Sequence, residues 1–193
     1  MRISVVTISF NQAAFLPACL RSVAAQRSEG DEHICVDPGS TDGSREVLRA
    51  SESVRCVFEK DDGPADGLNN GFAMATGDVF GFINADDEVS PGAFSYVRDF
   101  FRTNPDVDIV IGAVRVIDAA GRAEARKRVS SAPSLAAIAG GSQAFYQQGM
   151  FFRGRVWAEL GVRFNVRNRT CWDYEFLADA LKAGARAEAV ARE

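Results

Sequence analysis

Long apolar runs are missing from this chain of 193 residues. No stretch approaches the roughly 18 consecutive apolar positions that cross a bilayer. The N-terminal Met-Arg-Ile-Ser-Val-Val-Thr passes straight into strand-like sequence, without the apolar core of a signal peptide. Both absences lead to a cytoplasmic chain as the expectation. Cysteine is scarce: Cys19, Cys35, Cys56 and Cys171 show no C-x-x-C spacing and three of them sit in apolar runs, which reads as buried thiols and argues against disulfides or a zinc site. The single histidine, His33, leads a strand with no second histidine nearby and reads as structural. No G-x-G-x-x-G follows the first strand and no G-x-x-x-x-G-K-S/T occurs anywhere, so neither a dinucleotide nor an ATP phosphate chain finds its usual glycine cradle. A dense basic stripe is missing as well, which excludes nucleic acid as a partner.

What is present is ordinary in bulk and uneven in placement. With 47% hydrophobic and 25% charged residues, one soluble core is the default, and no internal repeat or low-complexity segment divides residues 1–193. The net charge is -4, but the first hundred residues carry the acidic excess and the remainder is net positive. The Arg-Lys-Arg of residues 126–128, beside Arg122, reads first as a solvated hairpin and second as a contact for anionic lipid or substrate.

The first hundred residues alternate short β-branched runs with amphipathic ones: ISVVTI, AAFLPACLRSVAAQ, HICVD, SREVLRA, VRCVFE, ADGLNNGFAMA, DVFGFIN. This is the pattern of a mostly parallel α/β sheet with helices on both faces. Pro91 after Ser90 predicts the start of a further helix, ended by Asn104-Pro105. DIVIGAVRVIDAAGRAEARK predicts a strand, a turn at Ala120-Gly121 and a return strand, so the sheet becomes mixed toward the C-terminal half. After a Gly-Ser linker at 140–142 come the apolar run QQGMFFRG, a helix at VWAEL and a last helix near CWDYEFLADALKAG.

In an open parallel sheet, ligands bind outside the carboxyl ends of the strands. Those ends read Thr7-Ile8-Ser9-Phe10-Asn11, then Asp37 to Ser44, then Glu59 to Pro64, then Asn84-Ala85-Asp86-Asp87. Core packing accounts for none of them. Turn and cap roles account well for Asp42 and Ser44, with a ligand role for Asp42 equally open. Asp37 ends an apolar strand, where a carboxylate can accept an N–H from a base such as uracil. Adjacent acids at Asp86 and Asp87 suit a hard divalent cation, Mg²⁺ or Mn²⁺, whose remaining positions take phosphate oxygens and water. The competing reading is a helix cap before Pro91.

SVVTISFNQAAFLPACLRSVAAQ, CVDPGSTDGS, DDGPADGLNNGFAMATGDVFGFINADDEVSPGA and WDYEFLADALKAG resemble, in this order, signature segments of the inverting glycosyltransferase family 2, which has the GT-A fold. The resemblance covers nearly the whole chain. It implies a nucleotide-sugar half at 1–104 and an acceptor half at 105–193. It places Thr7, Ser9, Asn11, Asp37 and Gly39 around a base and ribose, usually uridine, and Gly63, Asp66 and Asn69 along the donor. Asp86 approaches the ribose, Asp87 ligates the metal, Asp173 is the general base, and Gln148 falls on the acceptor side. Apart from the resemblance, the Trp172 ring suits stacking on an acceptor sugar, with core packing an equally open reading. Asn84 stands where many members have Asp, and Asn70 where many have Lys.

The implied reaction is attack of an acceptor hydroxyl on the anomeric carbon, opposite the leaving nucleoside diphosphate. The implied acceptor is a glycan or a lipid-linked glycan of polysaccharide biosynthesis, with peripheral association at the inner face of the membrane. The alternatives are a sugar-phosphate nucleotidyltransferase, disfavoured by the absence of a Gly- and Lys-rich first loop, and a nucleotide-binding module without catalysis, suggested by Asn84.

Overall fold

A computed structural model of the chain describes residues 1–118, 121–127 and 132–192. Its elements run β1 (Ile3–Ile8), α1 (Leu16–Ala24), β2 (Glu32–Val36), α2 (Ser44–Arg49), β3 (Arg55–Val57), α3 (Pro64–Ala73), β4 (Val79–Asn84), α4 (Ala93–Thr103), β5 (Ile109–Ile111), β6 (Val114–Ile117), β7 (Ala123–Lys127), α5 (Leu135–Ala139), β8 (Met150–Arg153), α6 (Gly154–Ala158), α7 (Trp172–Lys182) and β9 (Ala187–Ala189). Seven strands form one sheet in the order β3-β2-β1-β4-β8-β5-β9, and β6 pairs with β7 in a separate ribbon. Only β8 runs against its neighbours β4 and β5. The sheet is therefore mostly parallel and mixed in its C-terminal half, as the sequence predicts.

Ile3 to Thr7 of β1 are all buried, as in a strand covered on both sides, and successive side chains enter opposite layers. Val6 of β1 packs with Leu68 and Phe72 of α3 and with Phe152, Phe164 and Phe176. Its neighbours Ile3 and Val5 point the other way, into Val23 of α1 and Phe94, Val97 and Phe101 of α4.

Two expectations are corrected. The helix expected from Pro91 begins at Ala93, because Gly92 adopts φ 81 and breaks the approach; Ser90 supplies a carbonyl to the Ala93 N–H at 3.1 Å and no side-chain cap. The continuous strand expected from Asp108 to Ile117 is interrupted at Gly112 and Ala113. There the Gly112 N–H donates to the Gly149 carbonyl at 2.8 Å, and a Cβ on Gly149 would stand 2.5 Å from the Gly112 oxygen, so two backbones touch and the chain turns into the ribbon. The Ala120 corner of the expected turn and the side chains of the basic cluster at 126–128 lie outside the described residues. Among the described residues no helix is long and apolar enough to cross a membrane.

The contact that seats α3 on the sheet generates a test. A Cβ on Gly71 would lie 2.4 Å from Cγ1 of Val6 and 3.3 Å from Cγ2 of Val36. Alanine normally gains roughly 1 kcal/mol over glycine inside a helix, yet overpacking against rigid β-branched side chains costs about 1–3 kcal/mol. Gly71→Ala is therefore expected to lower stability, read as a reduced midpoint in urea; an unchanged or raised midpoint would show that the helix slides to make room.

Candidate functional site

The carboxyl ends of β1 to β4 converge where strand order reverses, since β2 and β3 lie on one side of β1 and β4 on the other. A cavity of about 710 Å³ opens there. Ile8, Ser9 and Phe10 line it after β1, Pro38 and Gly39 after β2, Lys60, Asp61, Gly63 and Pro64 around the start of α3, and Asn84, Ala85 and Asp86 after β4. A second cavity, of about 970 Å³, includes Phe82, Asp86, Asp87, Glu88, Tyr96, Tyr146, Gln148, Arg192 and the ribbon residues 114–117. Asp86 lines both.

Asp37 is fully buried at the end of β2. Its Oδ1 accepts from the Gly39 and Ser40 N–H groups at 3.0 and 2.8 Å and from Arg45 Nε at 3.1 Å. Burial pushes this carboxyl up, but the bonds from Ser40, Arg45 and Gly39 outweigh it and hold Asp37 below the usual carboxylate range. Oδ2 is buried with no partner, and so is Ser9 Oγ on the neighbouring strand end. Asp42 resolves toward the turn: it accepts from Ala13 N at 2.9 Å and from Ser44 N at 3.0 Å, tying the two loops together.

The acids of the β3 and β4 ends behave differently. Burial raises the Asp61 carboxyl, and the charges of Asp66, Asp62 and Asp37 add to it against the Gly63 N–H, which donates at 3.0 Å. Burial likewise raises Asp87, helped by the charge of Asp86 and opposed by hydrogen bonds from Gln148 and from Asn84, whose Nδ2 donates at 3.1 Å. Among the described residues no cluster of three His, Cys, Asp or Glu side chains could hold a metal by itself. Mg²⁺ is usually bound through only one or two carboxylates, with phosphate oxygens and water completing its shell. The buried, raised carboxyl of Asp87 beside Asp86 has the unmet negative charge such an ion would neutralise.

Asp173 lies in the first turn of α7 and lines neither of these two cavities. Its flanking residues brace against the larger one. The Trp172 ring lies 5.8 Å from Phe82, a lining residue. The Tyr174 hydroxyl accepts the Phe145 N–H and donates to the Gln143 carbonyl, both at 3.2 Å, fixing the segment that leads to Tyr146 and Gln148. Burial raises the Asp173 carboxyl above its ordinary value against the N–H of Tyr174.

Other candidates turn elsewhere. Thr7 is buried against His33, 2.9 Å from its Nε2, in the layer of Cys19 and not in the cavity. Asn11, at φ 54, receives the Thr41 N–H at 3.0 Å and donates its own N–H to Ser40 Oγ at 2.8 Å. Asn69 commits its amide to Phe164, and Asp66 accepts the Asp62 N–H at 3.0 Å. Phe10, 60% exposed, Lys60 and Asp61 belong to strand ends that the sequence marks, without a role assigned there, and the structure puts them on the cavity wall; Arg45, bonded to Asp37, gains interest only from the structure. An exposed aromatic directly after a buried strand was the available signal for Phe10.

A family model described as Glycosyl transferase family 2 matches residues 4–169. The chain is 35% identical to an uncharacterized glycosyltransferase of Nostoc sp. over 131 residues, covering 62% of this chain and 41% of that protein. It is 28% identical to the succinoglycan biosynthesis protein ExoU of Rhizobium meliloti over 94% of this chain and 57% of ExoU. It thus spans between two fifths and three fifths of these relatives. Among solved structures, S. aureus TarS 1-349 in complex with UDP superposes with TM-score 0.81 at 17% identity, covering 100% of this chain and 59% of that one. The mannosyltransferase PcManGT of Pyrobaculum calidifontis, in complex with GDP-Man and Mn2+, reaches 0.72 at 19% identity, over 98% of this chain and 54% of that one.

Crowded carboxylates carry a stability signature. A carboxyl raised on folding is disfavoured as its ion, so its cost is present above the folded pKa and fades as pH falls through it toward the ordinary value. Asp61→Asn keeps an acceptor for Gly63 and is expected to raise the Tm at pH 7 by about 1–3 °C. The gain should disappear in melts near pH 4; a variant less stable at pH 7 would contradict the assigned repulsion.

Proposed function

Because the chain belongs to glycosyltransferase family 2, we propose that it transfers a sugar from a nucleoside diphosphate donor, uridine-linked, to an acceptor hydroxyl by an inverting displacement with Asp173 as general base. The observation that carries this reading is Asp86 at the junction of two cavities, with Asp87 beside it: a donor on one side, an acceptor on the other, and a carboxylate pair between. Relatives named for succinoglycan and for PGL/p-HBAD biosynthesis support a glycan or lipid-linked acceptor. Fold neighbours in complex with UDP, UDP-GlcNAc and GDP-Man support a nucleotide-sugar donor.

In this mechanism the smaller cavity takes the nucleoside. Phe10 offers a ring face to the base, while Ser9, which lines that cavity, and Asp37, at the end of β2, each carry a buried side-chain oxygen without a partner among the described residues. Asp87, steadied by Asn84 and Gln148, and Asp86 would hold Mg²⁺ or Mn²⁺. When bound, the ion neutralises charge that builds on the leaving diphosphate. Lys60 places a cation on the same cavity wall. Asp173 takes the proton of the attacking hydroxyl; its raised pKa brings it nearer the operating pH, where a general base is most effective. The 1–104 half then holds the donor, and the 105–193 half contributes the ribbon, Gln148 and α7 to the acceptor side.

Asp173→Asn is expected to reduce transfer by about 10²–10⁴-fold while leaving UDP affinity within about twofold by calorimetry. The wild-type rate should climb with pH through the elevated Asp173 pKa, since the base must be ionised. Turnover at the wild-type level would remove the assignment. Excess chelator, or Asp87→Asn, is expected to weaken UDP binding at least ~10-fold; undiminished affinity would remove the metal.

A further inference from the structure

The ribbon of β6 and β7 carries an apolar wall that the protein does not cover. Among the described residues the ribbon pairs with no other strand, and a lone two-stranded hairpin is marginal in water without packing on one face. Val114 and Val116 stand two residues apart on β6 and so share a face. The register shifts between Val116 and Ile117, and an irregularity of this kind re-aims the side chain that follows. All three line the larger cavity, as does Tyr146, yet none of the four packs into a hydrophobic cluster of the described residues. Val116 is 38% exposed. Half-buried Tyr96 of α4 and Phe151 of β8 complete the apolar lining, and these two do rest on the core.

This wall runs up to the carboxylates. The Gly112 N–H donates to the Gly149 carbonyl at 2.8 Å and the Ala113 N–H to the Arg192 carbonyl at 2.7 Å, which pins the root of β6 beside Gln148, whose side chain bonds Asp87. Asp86, Asp87 and Glu88 line the same cavity. Its volume, about 970 Å³, sits at the upper end of the roughly 300–1,000 Å³ usual for small-molecule sites, and it is concave where a protein-docking face is flat.

Resting on the acceptor reading above, we propose that the acceptor is an amphiphile, with its sugar hydroxyl at the Asp86 and Asp87 end and an alkyl or aryl aglycone laid along Val114, Val116 and Ile117. A hydrocarbon group gains free energy on leaving water for that wall. A glycan without an aglycone brings hydroxyls on every ring edge to side chains that offer them no hydrogen bond, and each one buried in that way is a cost. The ribbon thus selects the group attached to the sugar, and the carboxylate end selects the hydroxyl. Val114, Val116 and Ile117 determine specificity without touching the reacting atoms.

The test is calorimetry of n-alkyl β-D-glucosides, methyl to octyl, below their micelle-forming concentrations, on the protein saturated with UDP and Mg²⁺. From butyl to octyl the Kd should fall about threefold per added methylene. Cellotetraose, which has no aglycone, should bind at least ~10-fold more weakly than octyl glucoside. Val116→Asp puts a charge on the wall at an exposed position; it should flatten the series and weaken octyl glucoside at least ~10-fold, with UDP affinity kept within about twofold. Val114→Asp should do the same and decides the matter if Val116→Asp does not fold. Val166→Asp is the control, since Val166 is also 38% exposed but lies in the segment before α7; it should leave the series at wild type. The proposal is overturned by a flat series on the wild-type protein, by cellotetraose binding as tightly as octyl glucoside, or by a wild-type series in folded Val116→Asp or Val114→Asp, which would mean adsorption elsewhere. A wild-type protein that binds no UDP with Mg²⁺ sinks the proposed function instead, whereas bound UDP with a flat series sinks this inference alone.

Discussion

Half-buried carboxylates at the ends of β3 and β4, Asp61 and Asp87, that have no ion pair among the described residues are the constraint around which the site is arranged, and it shows most clearly by contrast. Away from the cavities, buried acids are neutralised by arginine or by dense hydrogen bonding. Asp108, 2% exposed, is gripped by Arg155 through both oxygens and held below the usual range, burial being outweighed by that pairing and by the Arg186 N–H. Asp31 pairs with Arg98, and Glu32 accepts from Ser4 and Thr76. At the cavities Asp61 and Asp87 receive neutral donors only, and both are raised. Like charges a few ångströms apart in a partly dry setting repel by several kcal/mol before screening. A chain under selection for stability alone would pair or delete them; the arrangement is intelligible if a cation and an anionic ligand enter together.

Asp37 belongs to neither group and explains why both are needed. Like the structural acids it has an arginine, yet that arginine takes only one of its oxygens. Pairing keeps it ionised in the interior, and Oδ2 is left without a partner among the described residues. Without that pairing, burial would favour the protonated form and turn an acceptor into a donor. The intermediate state depends on geometry, which is set by the Gly39 and Ser40 amides and by the anchoring of Arg45 on Phe58.

Much of the scaffold was legible because period and propensity coincide in the first hundred residues: β-branched runs became β1, β2 and β4, and the apolar stripes of α1, α3 and α4 became their buried faces. The insertion of β8 between β4 and β5 was not legible, since strand order depends on pairing over long separations that no local pattern encodes. The three residues of β9, Ala-Glu-Ala, carry no strand propensity at all and are strands by tertiary pairing with β5. At the site, Ser9 and Gly39 stand at the cavity where the strand-end rule put them, but Thr7 does not. Thr7 is still within β1, so alternation turns it to the layer that holds Cys19, whereas Ser9 is past the last rung and free of that rule. Arg45 was invisible for a different reason: its role exists only once the ends of β2 and β3 are neighbours.

Asn69 carries the remaining step, because it shows how the donor side and the α7 side are held in one frame. Its Nδ2 donates to the Phe164 carbonyl at 2.8 Å and its Oδ1 accepts the Phe164 N–H at 3.0 Å. A two-point amide contact sets orientation as well as distance. The Phe164 ring in turn stacks on Phe176 of α7 at 4.2 Å with planes 12° apart, and meets Trp172 edge-on at 5.7 Å. Asp66 and Asn69 share a face of α3 at i, i+3: the first holds the turn that rims the smaller cavity, and the second, one turn later, grips the segment against which α7 packs. Arg169, just before α7, adds a hydrogen bond to the Asp62 carbonyl of that same turn. One amide, one aromatic stack and one guanidinium thus link the cavity rim to the turn bearing Asp173. An in-line displacement tolerates errors of about an ångström poorly, so a short and stiff linkage of this kind is what the proposed chemistry requires of the fold.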